Sequence, residues 1–328
     1  MMDNNLIAQS GEGPRRTTLK SREIMGDRPG PRLLITGGVH GDEFEPMVAI
    51  RRLMAIVNPA ELCGRLTLVP VVNEAAFARG NRVAEDGLDL ARTCPGKVEG
   101  TVTQQTAYAL SELIRGADYY IDLHTGGTAL AVWPMTGYVL HPEAAVLEKQ
   151  RLMARAFNLP VIWGTDHRLE GRSLSVARDA KVPAIYTEYL GGGRCAAAGV
   201  DAYVDGCLNV MAALGMFEPA TVPSRVQIEV EDSRPQSGHM QRCYPASMGG
   251  YFEAAVELGQ KVDVGDPLGR VVYVLGEVSH DVVATEAGRV LVLRTLPAVR
   301  EGDSLAVILP CSMPVVRVPK FDGQAGPN

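Results

Sequence analysis

The chain is poor in the features that mark several protein classes. Aromatic residues make up 5% of it, and histidine occurs only six times, so a histidine inside a motif carries weight. Basic charge is not in excess: 32 lysines and arginines face 38 acidic residues, for a net charge of -6. A nucleic-acid binder usually shows a basic patch or stripe, so no nucleic-acid partner is expected. No apolar run approaches the roughly 20 residues that span a bilayer, and no membrane partner is expected either. The amino end, MMDNNLIAQSGEGPRR, lacks the apolar core of a secretory signal, which makes the cytoplasm the expected location. Six cysteines, at 63, 94, 195, 207, 243 and 311, form no CxxC pair, and an intracellular chain of this size needs no disulfides. GGGR at 191–194 is not a phosphate loop, because the GxxxxGK[ST] spacing is missing.

With 328 residues, 46% of them apolar, the chain can bury one large core and a smaller one. After a polar lead-in over 1–30, with room for one early strand, a βα rhythm begins. PRLLITGGV, RLTLVPVVN, DYYIDLH and VPAIYTEYL read as buried strands. EPMVAIRRLMAIV, TVTQQTAYALSELIRG, AAVLEKQRLMARAFNL and AAAGVDAYVDGCLNVMAALGM read as helices, with a long variable region following DYYIDLH. This alternation predicts an α/β fold whose mainly parallel, mixed sheet is flanked by helices on both faces. Composition changes near residue 222. Short half-buried strands punctuated by GQ, GD, AG and EGD turns then predict a small all-β domain over 226–310. The expected division is 1–222 for a catalytic α/β domain and 223–328 for a β domain with a flexible tail.

GGVHGDE, residues 37–43, places His40 and Glu43 three apart at a strand-to-helix turn, where its glycines allow close backbone approach. DYYIDLH brings His124 to the end of another strand. Two imidazoles and a carboxylate suit zinc, and three protein ligands leave the open position of a catalytic site. A lone His40 would read as a satisfied loop histidine; that reading weakens once Glu43 and His124 join it. Asp122 lies two residues before His124, on the same side of an extended strand. It is expected to orient a ligand histidine, and which one stays open. Glu188, in IYTEYLGGG, is either a solvent-facing or capping acid, or a general base at a strand's carboxyl end. In NEAAFARGNRVAEDGLDLAR, Arg82 and Arg92 can stabilise an oxyanion or grip a carboxylate. Arg79 reads as surface charge, and Asp86 and Asp89 as turn residues or arginine partners. His141, His167, His239 and His280 read as surface or loop residues, with a place near the substrate as the alternative for His167. Cys63 and Cys94 read as small apolar fillers.

These motifs carry a resemblance. GGVHGDE, DGLDLAR with CPG, DLHTGG and TEYLGG together resemble the succinylglutamate desuccinylase/aspartoacylase family of the zinc carboxypeptidase-like superfamily. The likeness spans roughly residues 30–310 and is nearest the bacterial N-acetyl-diaminobutyrate deacetylase-like branch. It implies zinc, one ion per chain, on His40, Glu43 and His124, with Glu188 as general base. It implies that Arg82 polarises the scissile carbonyl, that Arg92 binds a substrate carboxylate, and that the β domain is barrel-sandwich-like. That domain offers no lysine in a carrier turn at GEVSHDVVATEAG, so a structural or site-shaping role is expected of it. One departure stands out: the family's DLNR and FPG read DLAR and CPG here, and Ala91 removes the amide that assists Arg92. A missing hydrogen bond changes substrate discrimination more than a missing methylene does.

The expected activity is zinc-dependent hydrolysis of an N-acyl amino acid or related small carboxylate-bearing amide, with N-acetyl favoured over N-succinyl. A zinc peptide carboxypeptidase is the first alternative, and an interaction protein on a hydrolase scaffold the second. A homo-oligomer is compatible with the sequence.

Overall fold

A strand covered on both faces needs apolar side chains pointing both ways, and the central strands meet that demand. The computed structural model describes residues 17–218, 222–240 and 243–310. The amino-terminal stretch in which no secretory signal was found and the expected flexible tail lie outside these residues.

Along the first part of the chain run β1 (Arg22–Met25), β2 (Arg28–Thr36), α1 (Phe44–Ile56), β3 (Cys63–Val69), α2 (Glu74–Ala78), α3 (Val102–Arg115) and β4 (Tyr119–His124). Then follow β5 (Leu130–Val139), α4 (Ala144–Phe157), β6 (Val161–Thr165), α5 (Ser173–Asp179), β7 (Ala184–Gly191), α6 (Ala197–Ala213) and β8 (Ile228–Glu231). The expected helices appear within a few residues of their sequence bounds. The region read as variable after DYYIDLH holds β5, and two further elements, β6 and α5, follow α4 unanticipated.

The main sheet runs β1-β3-β2-β4-β7-β5, and it is mixed. β3, β2, β4 and β7 are mutually parallel, whereas β5 is antiparallel to β7. Leu33 and Ile35 of β2 pack with Ile121, Leu123 and Ile185 beneath α1, α4 and α6. Leu34, Tyr120 and Ala184 face α3 and α5 on the other side. Leu123 is fully buried directly before His124. Truncating such a side chain to alanine costs roughly 2–5 kcal/mol, so the site rests on a stiff floor. α3 begins with a capping box: Thr101 accepts from the Gln104 N–H while the Gln104 side chain accepts from the Thr101 N–H.

The later strands are β9 (Gly250–Ala254), β10 (Lys261–Val262), β11 (Pro267–Val272), β12 (Ser279–Val283), β13 (Gly288–Arg294), β14 (Ala298–Val299) and β15 (Ala306–Pro310). Four of them make a separate sheet, β12-β11-β9-β14, the expected small β domain. Its described strand pairings close no barrel. β13 instead joins the main sheet: the first residues of β5 pair with it, Val132 opposite Val292, while the last five pair with β6.

Candidate metal centre and substrate cleft

The carboxyl ends of the parallel strands set the level of the site. His124 ends β4 opposite Glu188 of β7, and two residues below them Asp122 lies opposite Tyr186. In the turn after β2, Gly41 presses on the backbone of α2: a Cβ there would sit 2.1 Å from the Ala76 carbonyl carbon. That close approach carries His40 and Glu43 toward β4, with Glu43 at the N-cap position of α1.

His40, Glu43 and His124 are all buried, and their potential ligand atoms lie within 4.8 Å of one another. His40 Nδ1 stands 2.6 Å from Glu43 Oε1, and His124 Nδ1 stands 3.0 Å from Glu43 Oε2. The far nitrogen of each ring meets a second carboxylate. His40 Nε2 is 3.1 Å from Asp89 Oδ1, and His124 Nε2 is 3.1 Å from Asp122 Oδ2. Asp122 therefore holds His124, and Asp89 holds His40, a role beyond the turn and arginine-pairing ones anticipated for it. Carboxylates behind both imidazoles fix their orientation and raise their basicity as ligands. Asp122 is itself fixed, accepting from Thr36 Oγ1 at 2.9 Å and from Ser173 Oγ. The donor set fits zinc, with two nitrogens, one carboxylate and room for a fourth ligand.

The charges here depend on each other. Burial would raise the Glu43 carboxyl, yet the two imidazoles hold it well below the usual range. Burial would lower His124, but Asp122 and Glu43 raise it well above its ordinary value. Asp89 resists burial in the same way, held low by His40 and Arg82. The Arg82 Nε and Nη2 donate to Asp89 Oδ2 at 3.2 and 3.0 Å, and its Nη1 reaches 3.8 Å from Glu43.

Beyond these residues opens a cleft whose wall also includes Arg92, Arg172, Tyr186 and Glu188. Glu188 lines it at 8% exposure, and its Oε2 has no hydrogen-bond partner. Burial pushes its pKa well up; His124 and Arg82 oppose this, while Glu43 and Asp122 add to it. Ala91 and Arg92 reach the rim, where the exposed Arg92 donates from Nη1 to the Ala91 carbonyl at 2.7 Å.

Arg172 also lines the cleft and was not anticipated. Its guanidinium donates to the Gly238 carbonyl at 3.4 Å, and among the described residues no carboxylate lies within ion-pairing distance of it. Burial lowers its pKa, with Tyr186 and Asp89 opposing. The available signal was topological: Arg172 precedes a helix just after a strand of the same sheet, where α/β sites form. Tyr186 forms part of the floor; its ring lies over Gly137, where a Cβ would fall 2.2 Å from the ring.

The other candidates stand apart. Arg79 is exposed, and Asp86 shapes its turn by accepting from Leu88 and Thr103. His141 is buried rather than superficial: Nε2 meets the Arg178 carbonyl and Nδ1 accepts from the Glu143 N–H. His167 is absent from the cleft wall, and His280 is exposed on β12. Burial pushes the Cys94 thiol up to about 12, which suits a filler.

The fold and the donor set define a metal-centred hydrolase of the α/β class. The chain belongs to the succinylglutamate desuccinylase/aspartoacylase family, whose catalytic-domain model matches residues 29–214. It is 32% identical over 289 residues to the N-alpha-acetyl-L-2,4-diaminobutyric acid deacetylase of Halomonas elongata, covering 85% of this chain and 82% of that protein. Two solved structures are similar across 88% of the chain. A succinylglutamate desuccinylase/aspartoacylase from Rhodobacter sphaeroides superposes with TM-score 0.80, at 27% identity and 88% of its own length. The product-bound ectoine utilization protein EutE (DoeB) from Ruegeria pomeroyi superposes with TM-score 0.78, at 28% identity and 87% of its length.

Proposed function

We propose that this zinc-dependent amide hydrolase removes a short acyl group, with acetyl foremost, from an N-acyl amino acid or related small amide bearing a carboxylate. The observation that carries the reading is the pairing of a buried His–Glu–His donor set with a buried, unpartnered Glu188 across one cleft. The similarity to a deacetylase acting on an acetylated diamino acid supports the choice of acyl group and amine.

His40, Glu43 and His124 would hold the ion, with Asp89 and Asp122 keeping the rings in position. When bound there, zinc supplies Lewis-acid chemistry, polarising an amide carbonyl and acidifying water. Glu188 takes a proton from the attacking water and returns it to the departing nitrogen. Its register beside His124 favours this role, and its raised pKa suits a group that must both accept and release a proton. Arg82, facing Glu43, offers positive charge to the oxyanion. Arg172 grips the substrate carboxylate within the cleft, and Arg92 meets it at the rim.

The test is hydrolysis across N-acetyl, N-succinyl and N-formyl amino acids, diaminobutyrate derivatives and dipeptides, with metal-stripped and Glu188→Gln controls. Release of one amine, lost in both controls, is expected. Turnover of dipeptides alone would transfer the reading to a carboxypeptidase. The division at residue 222 and a barrel-sandwich form for the later strands belong to the same proposal, supported by the separate four-stranded sheet. A cytoplasmic setting is supported by five free thiols among the described residues. No helix among those residues is long and apolar enough to cross a membrane.

A further inference from the structure

The cleft has two unlike lobes on either side of Glu188, and the pairing of β5 with β7 fixes their order. Gly137 lies opposite Tyr186, Met135 opposite Glu188, and Val132 opposite Leu190. Toward the Tyr186 rung the wall carries a cation, Arg172. Toward the Val132 rung it is built of carbon. Val132 pairs in turn with Val292 of β13, and directly opposed residues of paired strands share a face. A strand from the carboxy-terminal part of the chain thus supplies a wall of the cleft. Val132 and Val292 are 2% and 0% exposed, and Leu130 and Met240 extend the same apolar surface. The nearby cations are already engaged: Arg82 makes two hydrogen bonds to Asp89, and Arg294, opposite Leu130, pairs with Asp303 and donates to the Leu296 and Ala298 carbonyls.

A substrate whose carboxylate rests on Arg172 and whose amide faces Glu188 must send its acyl arm the other way. We propose that the lobe of Leu130, Val132, Met240 and Val292 is the acyl pocket. It selects neutral aliphatic acyl groups, acetyl and its short homologues, against charged ones such as succinyl, and Met240 and Val292 set the chain-length limit. The proposal rests on the deacylase reading above. A carboxylate placed in this lobe loses its hydration and gains no free cation among the described residues. Each methylene in such a pocket discriminates by roughly 10- to 200-fold. The carboxy-terminal strand β13 thereby governs which acyl group is removed, while the α/β sheet supplies the chemistry.

The experiment holds the amine constant and varies the acyl group through acetyl, propionyl, butyryl and succinyl. Butyryl and succinyl share a four-carbon chain and differ by the terminal carboxylate. Succinyl is expected to fall at least about 100-fold below butyryl in kcat/KM. Val292→Ala and Met240→Ala are each expected to raise the butyryl-to-acetyl ratio about 10-fold with zinc content unchanged. As an independent readout, calorimetry on zinc-loaded Glu188→Gln should give the same butyryl-over-succinyl order in Kd. Equal handling of succinyl and butyryl, or a chain-length profile unmoved in both variants, overturns the acyl-pocket assignment. Hydrolysis and binding of no N-acyl amino acid at all overturns the deacylase reading instead.

Discussion

The two ends of the cleft treat charge in opposite ways. At the metal end, the buried Glu43 and Asp122 and the part-buried Asp89 are met by His40, His124 and Arg82, so each of these carboxylates faces a cation or an imidazole within about 3 Å. Among the described residues, Glu188, beside His124, keeps an oxygen without a hydrogen-bond partner, and toward the Tyr186 rung the half-buried Arg172 guanidinium has a single carbonyl, that of Gly238. Buried charge without a partner costs several kcal/mol per ion in real proteins. A fold keeps such groups where a ligand supplies the missing partner, and the contrast separates what is built for the ion from what waits for substrate.

The largest expected effect breaks the first end. Glu43→Ala removes a ligand and leaves two imidazoles without their shared carboxylate. Zinc measured by mass spectrometry should fall to a small fraction of one per chain, and hydrolysis should drop roughly 10⁴-fold or more. Retention of a full equivalent of zinc would falsify the site. Next comes Glu188→Gln, expected to keep its zinc while kcat falls about 10²- to 10⁴-fold. The pH profile adds a sign. Burial, reinforced by Glu43 and Asp122, raises the Glu188 pKa, so the protonated and inactive base persists to higher pH than in an ordinary carboxyl. In the metal-free protein the Glu188 carboxyl should therefore titrate above the usual carboxylate range, as followed by a carboxyl NMR or infrared signal that is lost in Glu188→Gln, and bound zinc should lower it.

The metal end was legible in the sequence because its residues sit in short motifs with local geometry. His40 and Glu43 lie three apart, and Asp122 and His124 share a strand face, so backbone periodicity alone aligned them. Glu188 was legible from topology, as a carboxylate level with the carboxyl end of β4, although β7 does not end there but runs on to Gly191 against β5. Arg172 was not. It reaches the cleft only because β5 turns antiparallel to β7 and leads through α4 to β6 and α5, elements hidden in a stretch without clear periodicity. Val292 was less legible still, since its place depends on β13 pairing with the first residues of β5, over 150 positions earlier in the chain. Long-range antiparallel pairing leaves no local signature.

Arg172→Leu sharpens the substrate end. A hydrogen-bonded charge is worth about 1.5–3 kcal/mol, so KM for a carboxylate-bearing substrate should rise up to about 100-fold with kcat little changed. The effect should disappear for the same substrate carrying a carboxamide. An equal penalty on both would reduce Arg172 to a structural cation beside Gly238.

The smallest effect tests whether the two ends are separable. Asp122 touches no expected substrate atom; it holds His124 Nε2 at 3.1 Å and is fixed by Thr36 and Ser173. Asp122→Asn preserves volume and one acceptor oxygen, so the ring can stay in place while the negative charge behind it is lost. Zinc affinity, measured by competition with a chelator, should weaken about 10-fold, and saturating zinc should restore most of the rate. Ser173, the residue after Arg172, donates to this carboxylate, so a shift in KM alongside the loss of affinity would mean that the ends are coupled through α5. A pure affinity loss would mean that the ion and the substrate are held by independent parts of one rigid sheet.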